Sequence, residues 1–149
     1  TVGLTSRMRS LTALFPRIQL ALSLHAGTDA TRRRIIPSAK ASSLAALREV
    51  VREWEGLRNG RIMVEYVVLP GVNDTPAELA GLADWMEGLR GVVNLIPFNP
   101  FAGASFRSPE VHEVEAVVTA LKARSIPVTV RWPRGRKAHG ACGQLMLAG

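Results

Sequence analysis

The sequence predicts an α/β fold on parallel strands, and three observations predict it. Four short, mostly apolar segments, 18–24, 61–69, 92–96 and 126–132, read as strands. The stretches between them are helix-length and carry apolar residues three and four apart. The resulting order alternates helix and strand from end to end, which implies βαβ units. Right-handed crossovers then collect the C-terminal ends of all the strands on one edge. Such near-continuous apolar strands suit a sheet buried on both faces.

A weak helix at 5–14 opens the chain. The first strand, Ile18 to Leu24, follows. In 42–58, Leu44, Leu47, Val50, Val51 and Trp54 fall at helical spacing, and Ser42 or Ser43 can cap the start. The second strand, Arg61 to Leu69, carries one acid among apolar residues, Glu65, which faces a polar interior or sits at a wet edge. The helix at 76–89 buries Leu79, Leu82, Trp85, Met86 and Leu89. Its start reads as a capping box, with Thr75 as cap, Pro76 at the first helical position and Glu78 three residues after the cap. The third strand is Val92 to Ile96. A helix at 109–124 opens with Ser108-Pro109-Glu110 and aligns Val111, Val114, Val117, Val118 and Leu121. The last strand is Ile126 to Trp132. Four strands fall short of a closed eight-stranded barrel, which takes about 250 residues. The chain is a small open domain or part of a larger barrel, and a start at Thr1 instead of methionine favours the latter.

With 149 residues, 47% of them hydrophobic and 21% charged, the composition is that of one ordinary globular domain. Its single cysteine excludes an intrachain disulfide and cannot by itself hold an iron–sulfur cluster. No apolar run reaches the roughly 18 residues of a membrane span, and the N-terminus lacks a signal-peptide layout, so a cytoplasmic protein with no membrane partner is the default. The net charge is +7, and sixteen arginines against three lysines carry the excess. Residues 41–115 are net acidic, whereas the two ends are strongly basic. Dense patches occur at Arg32-Arg33-Arg34 and at Arg131, Arg134, Arg136 and Lys137. Arginine forks onto phosphate and stacks on bases, so these patches read as nucleic-acid contacts or as solvated faces.

Chemistry in parallel α/β proteins collects where strands end. The first strand runs into Ser23-Leu24-His25-Ala26. Ser23 and His25 flank Leu24, so both point to one face, either as ligand contacts or as satisfied core polar groups. The second strand runs into Leu69-Pro70-Gly71-Val72-Asn73-Asp74, which reads as a turn feeding the Thr75 cap. The third runs into Asn99, held between Pro97 and Pro100, either a turn residue or a ligand contact. Near the C-terminus lies Ala141-Cys142-Gly143. Cys142 sits among small residues after a basic stretch. That placement favours an accessible thiolate, although a lone cysteine is commonly a buried structural residue.

Taken in order, Ser23-Leu24-His25-Ala26, Leu69-Pro70-Gly71-Val72-Asn73-Asp74, Val93-Asn94-Leu95-Ile96-Pro97-Phe98-Asn99-Pro100-Phe101 and Ala141-Cys142-Gly143-Gln144-Leu145 resemble one family. It is the radical S-adenosylmethionine 23S ribosomal RNA adenine-C2 methyltransferases. The resemblance runs through all 149 residues and implies the C-terminal half of a radical SAM core domain, a partial (βα) barrel of about four βα units. The family's CxxxCxxC motif for a [4Fe-4S] cluster would lie upstream of Thr1, as would its second catalytic cysteine.

On this resemblance, Ser23, Leu24 and His25 contact S-adenosylmethionine, and Asn99 holds its amino-acid portion. Cys142 is the methyl-carrying cysteine, because the electron-poor C2 of adenine cannot attack a sulfonium methyl directly. A radical generated at the cluster then activates the S-methyl group for addition to the ring. Arg131, Arg134, Arg136 and Lys137 would guide ribosomal RNA, with transfer RNA a further candidate, to a full-length enzyme expected to be a monomer. The isolated chain, lacking cluster ligands, is expected to be inactive. In two places the chain departs from the family. Arg136-Lys137-Ala138-His139-Gly140 replaces an acidic pair, and Gly27 stands where Pro-Asn is frequent. The alternative is a non-catalytic RNA-binding remnant of the same family.

Overall fold

The computed structural model describes residues 1–15, 18–58, 60–101 and 103–132. Among them the helices are α1 (Thr5–Leu14), α2 (Asp29–Ile35), α3 (Leu44–Arg58), α4 (Pro76–Met86) and α5 (Val111–Ala123). The strands are β1 (Ala21–Ser23), β2 (Ile62–Val68), β3 (Gly91–Pro97) and β4 (Val128–Val130). They form one sheet in the order β1-β2-β3-β4, and each neighbouring pair is parallel. The register sets Ser23 beside Glu65, Glu65 beside Asn94, and Asn94 beside Thr129.

One face of this sheet is packed and the other is open. Ile62, Val64, Tyr66 and Val68 of β2 are all fully buried, while Met63 between them is 42% exposed. The first set meets Leu22 and Leu24 from the β1 segment, Val93 and Leu95 from β3, and the helical side chains Leu47, Val51, Trp54, Leu82 and Leu121. Each fully buried leucine contributes roughly 1.5–3 kcal/mol to this layer. The alternate residues Ser23, Met63, Glu65, Val67, Val92 and Thr129 are half-buried or exposed. The expectation of a sheet buried on both faces is therefore corrected: among the described residues the helices cover one face, and the alternate positions, Ser23, Glu65 and Thr129 among them, stay on the other.

Several cross-links fix the helices. Trp85 Nε1 donates to Leu44 O at 2.8 Å, and Arg48 Nε donates to Trp85 O at 2.8 Å, which ties α3 to α4. Ser43 caps α3 by accepting from Ala46 N at 3.2 Å. Helix α2 has no apolar stripe and was not expected from the pattern. Thr28 caps it, accepting from Thr31 N. Its Asp29 side chain accepts from Leu44 N, fastening it to the start of α3.

Arg32 on α2 is the largest fully buried side chain among the described residues. Its guanidinium donates to three backbone carbonyls: Leu24 at 3.2 Å, Ser42 at 3.2 Å and Val2 at 2.6 Å. The reading of Arg32-Arg33-Arg34 as one surface patch is thus corrected. Arg33 and Arg34 are exposed, but Arg32 is consumed in joining three chain segments. On the outer edge of β1, Thr1 pairs in parallel fashion, its amino group donating to Ala21 O and its carbonyl accepting from Ser23 N.

Candidate active site at the strand ends

Parallel pairing brings the segments after β1, β2 and β3 to one edge. Leu24 N donates to Glu65 O, so the β1 ladder continues one residue beyond Ser23. The backbone then turns at His25, whose φ is 60°. A non-glycine residue in the left-handed region costs of order 1–3 kcal/mol and needs a surrounding that enforces it. Asn73 supplies that surrounding. Fully buried, it donates from Nδ2 to His25 O at 2.8 Å and to Val67 O at 2.6 Å, and accepts from Leu69 N at 2.8 Å. Its own carbonyl accepts from the Tyr66 hydroxyl at 2.7 Å. Burial raises the Tyr66 pKa, with the Glu78 and Asp74 charges adding to it, which keeps that hydroxyl a donor. The stretch anticipated as a turn is indeed one, and it also clamps the neighbouring loop.

The His25 ring is fixed as well. Val67 N donates to Nδ1 at 3.1 Å, so the neutral ring carries its proton on Nε2 and presents Nε2–H as a donor. Desolvation, and then the Arg32 charge, lower its pKa from 6.5 to about 4. A folded-state value below the unfolded one means that protonation favours unfolding. Stability is therefore intact above about pH 6.5 and declines as the pH falls toward 4. In an NMR titration of the histidine ring protons, His25 should show a midpoint near 4, and a midpoint near 6.5 would contradict this account.

Gly27 and Thr28, just beyond, are locked by Glu78. Its carboxylate accepts from Gly27 N at 2.7 Å, from Thr28 N at 3.2 Å and from the Thr28 hydroxyl at 2.6 Å. Thr75 does cap α4, but Glu78 does not complete the capping box anticipated for it. Three convergent donors from another loop outcompete one local N–H. Gly27 lies directly on α4: a Cβ there would stand 1.8 Å from Glu78 O, and one on Gly81 would stand 2.4 Å from Gly27 O.

Of the residues singled out from the sequence, Ser23 and His25 lie half-buried on this edge, Ser23 on the open face of β1 and the His25 ring against the Val67 N–H of the neighbouring strand. Leu24 is different. Its side chain is fully buried in the core, its N–H is bonded to Glu65 O and its carbonyl accepts from Arg32. Asn99 follows β3 in a loop organised by Phe98, which packs edge-on against Phe101 and Phe106 at 6.4 and 6.1 Å. Arg131 is exposed, and its N–H extends the β4 ladder to Leu95 O. Arg134, Arg136, Lys137 and Cys142 lie outside the described residues. Sequence reasoning named Arg32 as part of a basic patch and Glu78 as part of a capping box, and missed the buried role of the first, the loop-locking role of the second and the clamping role of Asn73. The close Gly27–Gly81 approach was a detectable signal only as two glycines on facing elements.

Glu65 is placed without ambiguity. It sits on the open face and accepts from Asn94 Nδ2 at 2.8 Å, while Asn94 Oδ1 accepts from the Thr129 hydroxyl at 2.9 Å. A groove of about 490 Å³ between α4 and α5 belongs to the helical layer, and none of Ser23, His25, Glu65 or Asn99 lines it.

The described residues contain no group of three metal-ligating side chains. A cluster needing several thiolates does not fit a chain with one cysteine, so its ligands would come from elsewhere. The strand-end edge does fit a small polar molecule such as S-adenosylmethionine. It offers a hydroxyl, a neutral imidazole donor and a primary amide along one sheet margin. No helix among the described residues is long and apolar enough to cross a membrane.

No family model matches the chain. Curated relatives do. A probable dual-specificity RNA methyltransferase RlmN of Deinococcus deserti is 42% identical over 148 residues, covering 99% of this chain and 43% of that protein. Proteins of the same name are 41% identical in Nostoc punctiforme (97% of this chain, 40% of that protein) and in Thermus thermophilus (99% and 41%). By sequence, the chain is related to the RlmN-type radical SAM RNA methyltransferases. It spans about two fifths of the length of these RlmN relatives. A radical SAM methyltransferase structure from Sphaerobacter thermophilus superposes with a TM-score of 0.90 at 38% identity, over 97% of this chain and 42% of that one. A domain of a pyruvate-formate lyase-activating enzyme from Bacteroides vulgatus matches at TM-score 0.66 and 13% identity, over 87% and 78% of the two chains, and shows the fold alone. The RlmN-type likeness and the four parallel strands establish the expected α/β fold, that of part of a radical SAM barrel.

Proposed function

We propose that this chain is the S-adenosylmethionine-binding and methyl-accepting part of a radical SAM enzyme that methylates C2 of an adenine in 23S ribosomal RNA, with transfer RNA as a second substrate. The observation that carries the reading is the superposition at TM-score 0.90 on a radical SAM methyltransferase, extending over 97% of this chain. On that frame Ser23, His25 and Asn99 share one sheet edge. His25 donates from Nε2 to an acceptor of the bound cofactor. Being neutral at pH 7, it adds no positive charge beside a sulfonium. Asn99 offers an amide that can both accept from an ammonium and donate to a carboxylate. Bound S-adenosylmethionine would supply the methyl group and, with a cluster held outside this chain, the radical that activates it.

Cys142 would act first as a nucleophile. Its thiol loses a proton, the thiolate forms a new S–C bond to the methyl, and the bond from that methyl to the sulfonium breaks. The basic residues Arg131, Arg134, Arg136 and Lys137 would lower the cost of the thiolate and attract RNA phosphates.

Mass spectrometry of the complete gene product, reconstituted with iron and sulfide and incubated with S-adenosylmethionine, should find Cys142 carrying one added methyl. Cys142→Ala should abolish methylation of RNA. An unmodified Cys142 together with full activity of the variant would overturn the assignment. Salt-sensitive RNA binding with no methyl transfer would instead identify a non-catalytic RNA-binding protein.

A further inference from the structure

We propose that Glu65 is a binding residue for a hydrogen-bond-donating group of the cofactor, held in place by a directed chain that starts at Thr129. The proposal rests on the reading of this edge as an S-adenosylmethionine site. The Thr129 hydroxyl donates to Asn94 Oδ1, which fixes the amide so that Nδ2 donates to Glu65 Oε2. Every donor in the chain points toward the carboxylate, so Glu65 is the terminal acceptor. Among the described residues Oε2 carries the Glu65 hydrogen bond, and Oε1 carries none. The carboxylate lies on the face that the helices leave open, in a central strand, laterally beside Ser23 and one residue pair below His25. A preset acceptor of this kind selects ligands that bring donors. S-adenosylmethionine brings three, its ribose diol, its ammonium and its adenine 6-amino group. Strand alternation leaves Glu65 as the one acid on the open face of the sheet among the described residues.

Calorimetric titration of the complete gene product separates the possibilities. Glu65→Gln keeps the shape and the Asn94 contact but removes the charge. It should weaken S-adenosylmethionine about tenfold, the loss of one charge-assisted hydrogen bond. If the diol or the adenine amino group is the partner, 5′-methylthioadenosine, which lacks the ammonium, weakens equally. If the ammonium is the partner, 5′-methylthioadenosine is unaffected. Thr129→Val, which frees the amide to rotate, should produce a smaller loss in the same direction. Unchanged affinity of Glu65→Gln for S-adenosylmethionine overturns the proposal while leaving the cofactor site standing. Failure of the unmutated protein to bind it overturns both.

Discussion

Asn73→Ala should destabilise the protein by about 4 kcal/mol and lower its melting temperature by about 10 °C. The side chain is fully buried and serves three backbone groups: the Leu69 N–H and the His25 and Val67 carbonyls. Truncation strips all three of their partner at a fully buried position, and each such loss costs roughly 1–3 kcal/mol. The left-handed turn at His25 also loses its restraint, so cofactor affinity should fall together with stability. Asn73→Asp should be no better. It keeps the acceptor for Leu69 but sets a carboxylate against two carbonyl oxygens. Thermal unfolding followed by circular dichroism decides the matter, and a variant melting with the unmutated protein would show that the clamp is redundant.

Gly27→Ala is the second severe case. The added methyl would stand 1.8 Å from Glu78 O and 2.7 Å from Leu82 N, both backbone atoms of α4. Neither can yield without moving the helix, so the loop must lift instead. Lifting it breaks the bonds from Glu78 to Gly27 and Thr28. A loss of about 3 kcal/mol in stability is expected, with at least a tenfold loss of S-adenosylmethionine affinity. Gly56→Ala provides the contrast. It lies within α3 with nothing inside 4 Å, and a helical glycine replaced by alanine should raise stability by up to about 1 kcal/mol. Urea denaturation of the two variants should move their midpoints in opposite directions, and a shared direction would refute the steric argument.

The longer elements were legible because each carries a periodic apolar pattern that tertiary packing only reinforces. Helix α3 ends at the expected residue 58 and starts two residues after the expected 42, and β2 lies within one residue of each anticipated end. Helix α2 was illegible for the converse reason. Asp29 to Ile35 has no stripe and is held by a cap and by an arginine bonded to distant carbonyls. The site divides in the same way. Alternation could place Ser23 on a strand face, but the left-handed turn at His25, beyond the end of β1, takes that residue out of the alternation. Glu78 looked like a local cap because the sequence shows its neighbours three residues away and not the loop fifty residues away that claims its carboxylate. Glu65 stayed ambiguous because its neighbours in sequence are apolar, and only register with Asn94 and Ser23 reveals its polar row.

The sheet order repeats the order of the chain, so each strand pairs with the one synthesised before it. A ribosome releasing this polypeptide can therefore complete it vectorially, adding one βα unit at a time to an edge already formed. Pairing among the described strands never has to wait for a distant terminus, which keeps loop-closure entropy low at each docking event and shortens the time any nascent edge spends bare.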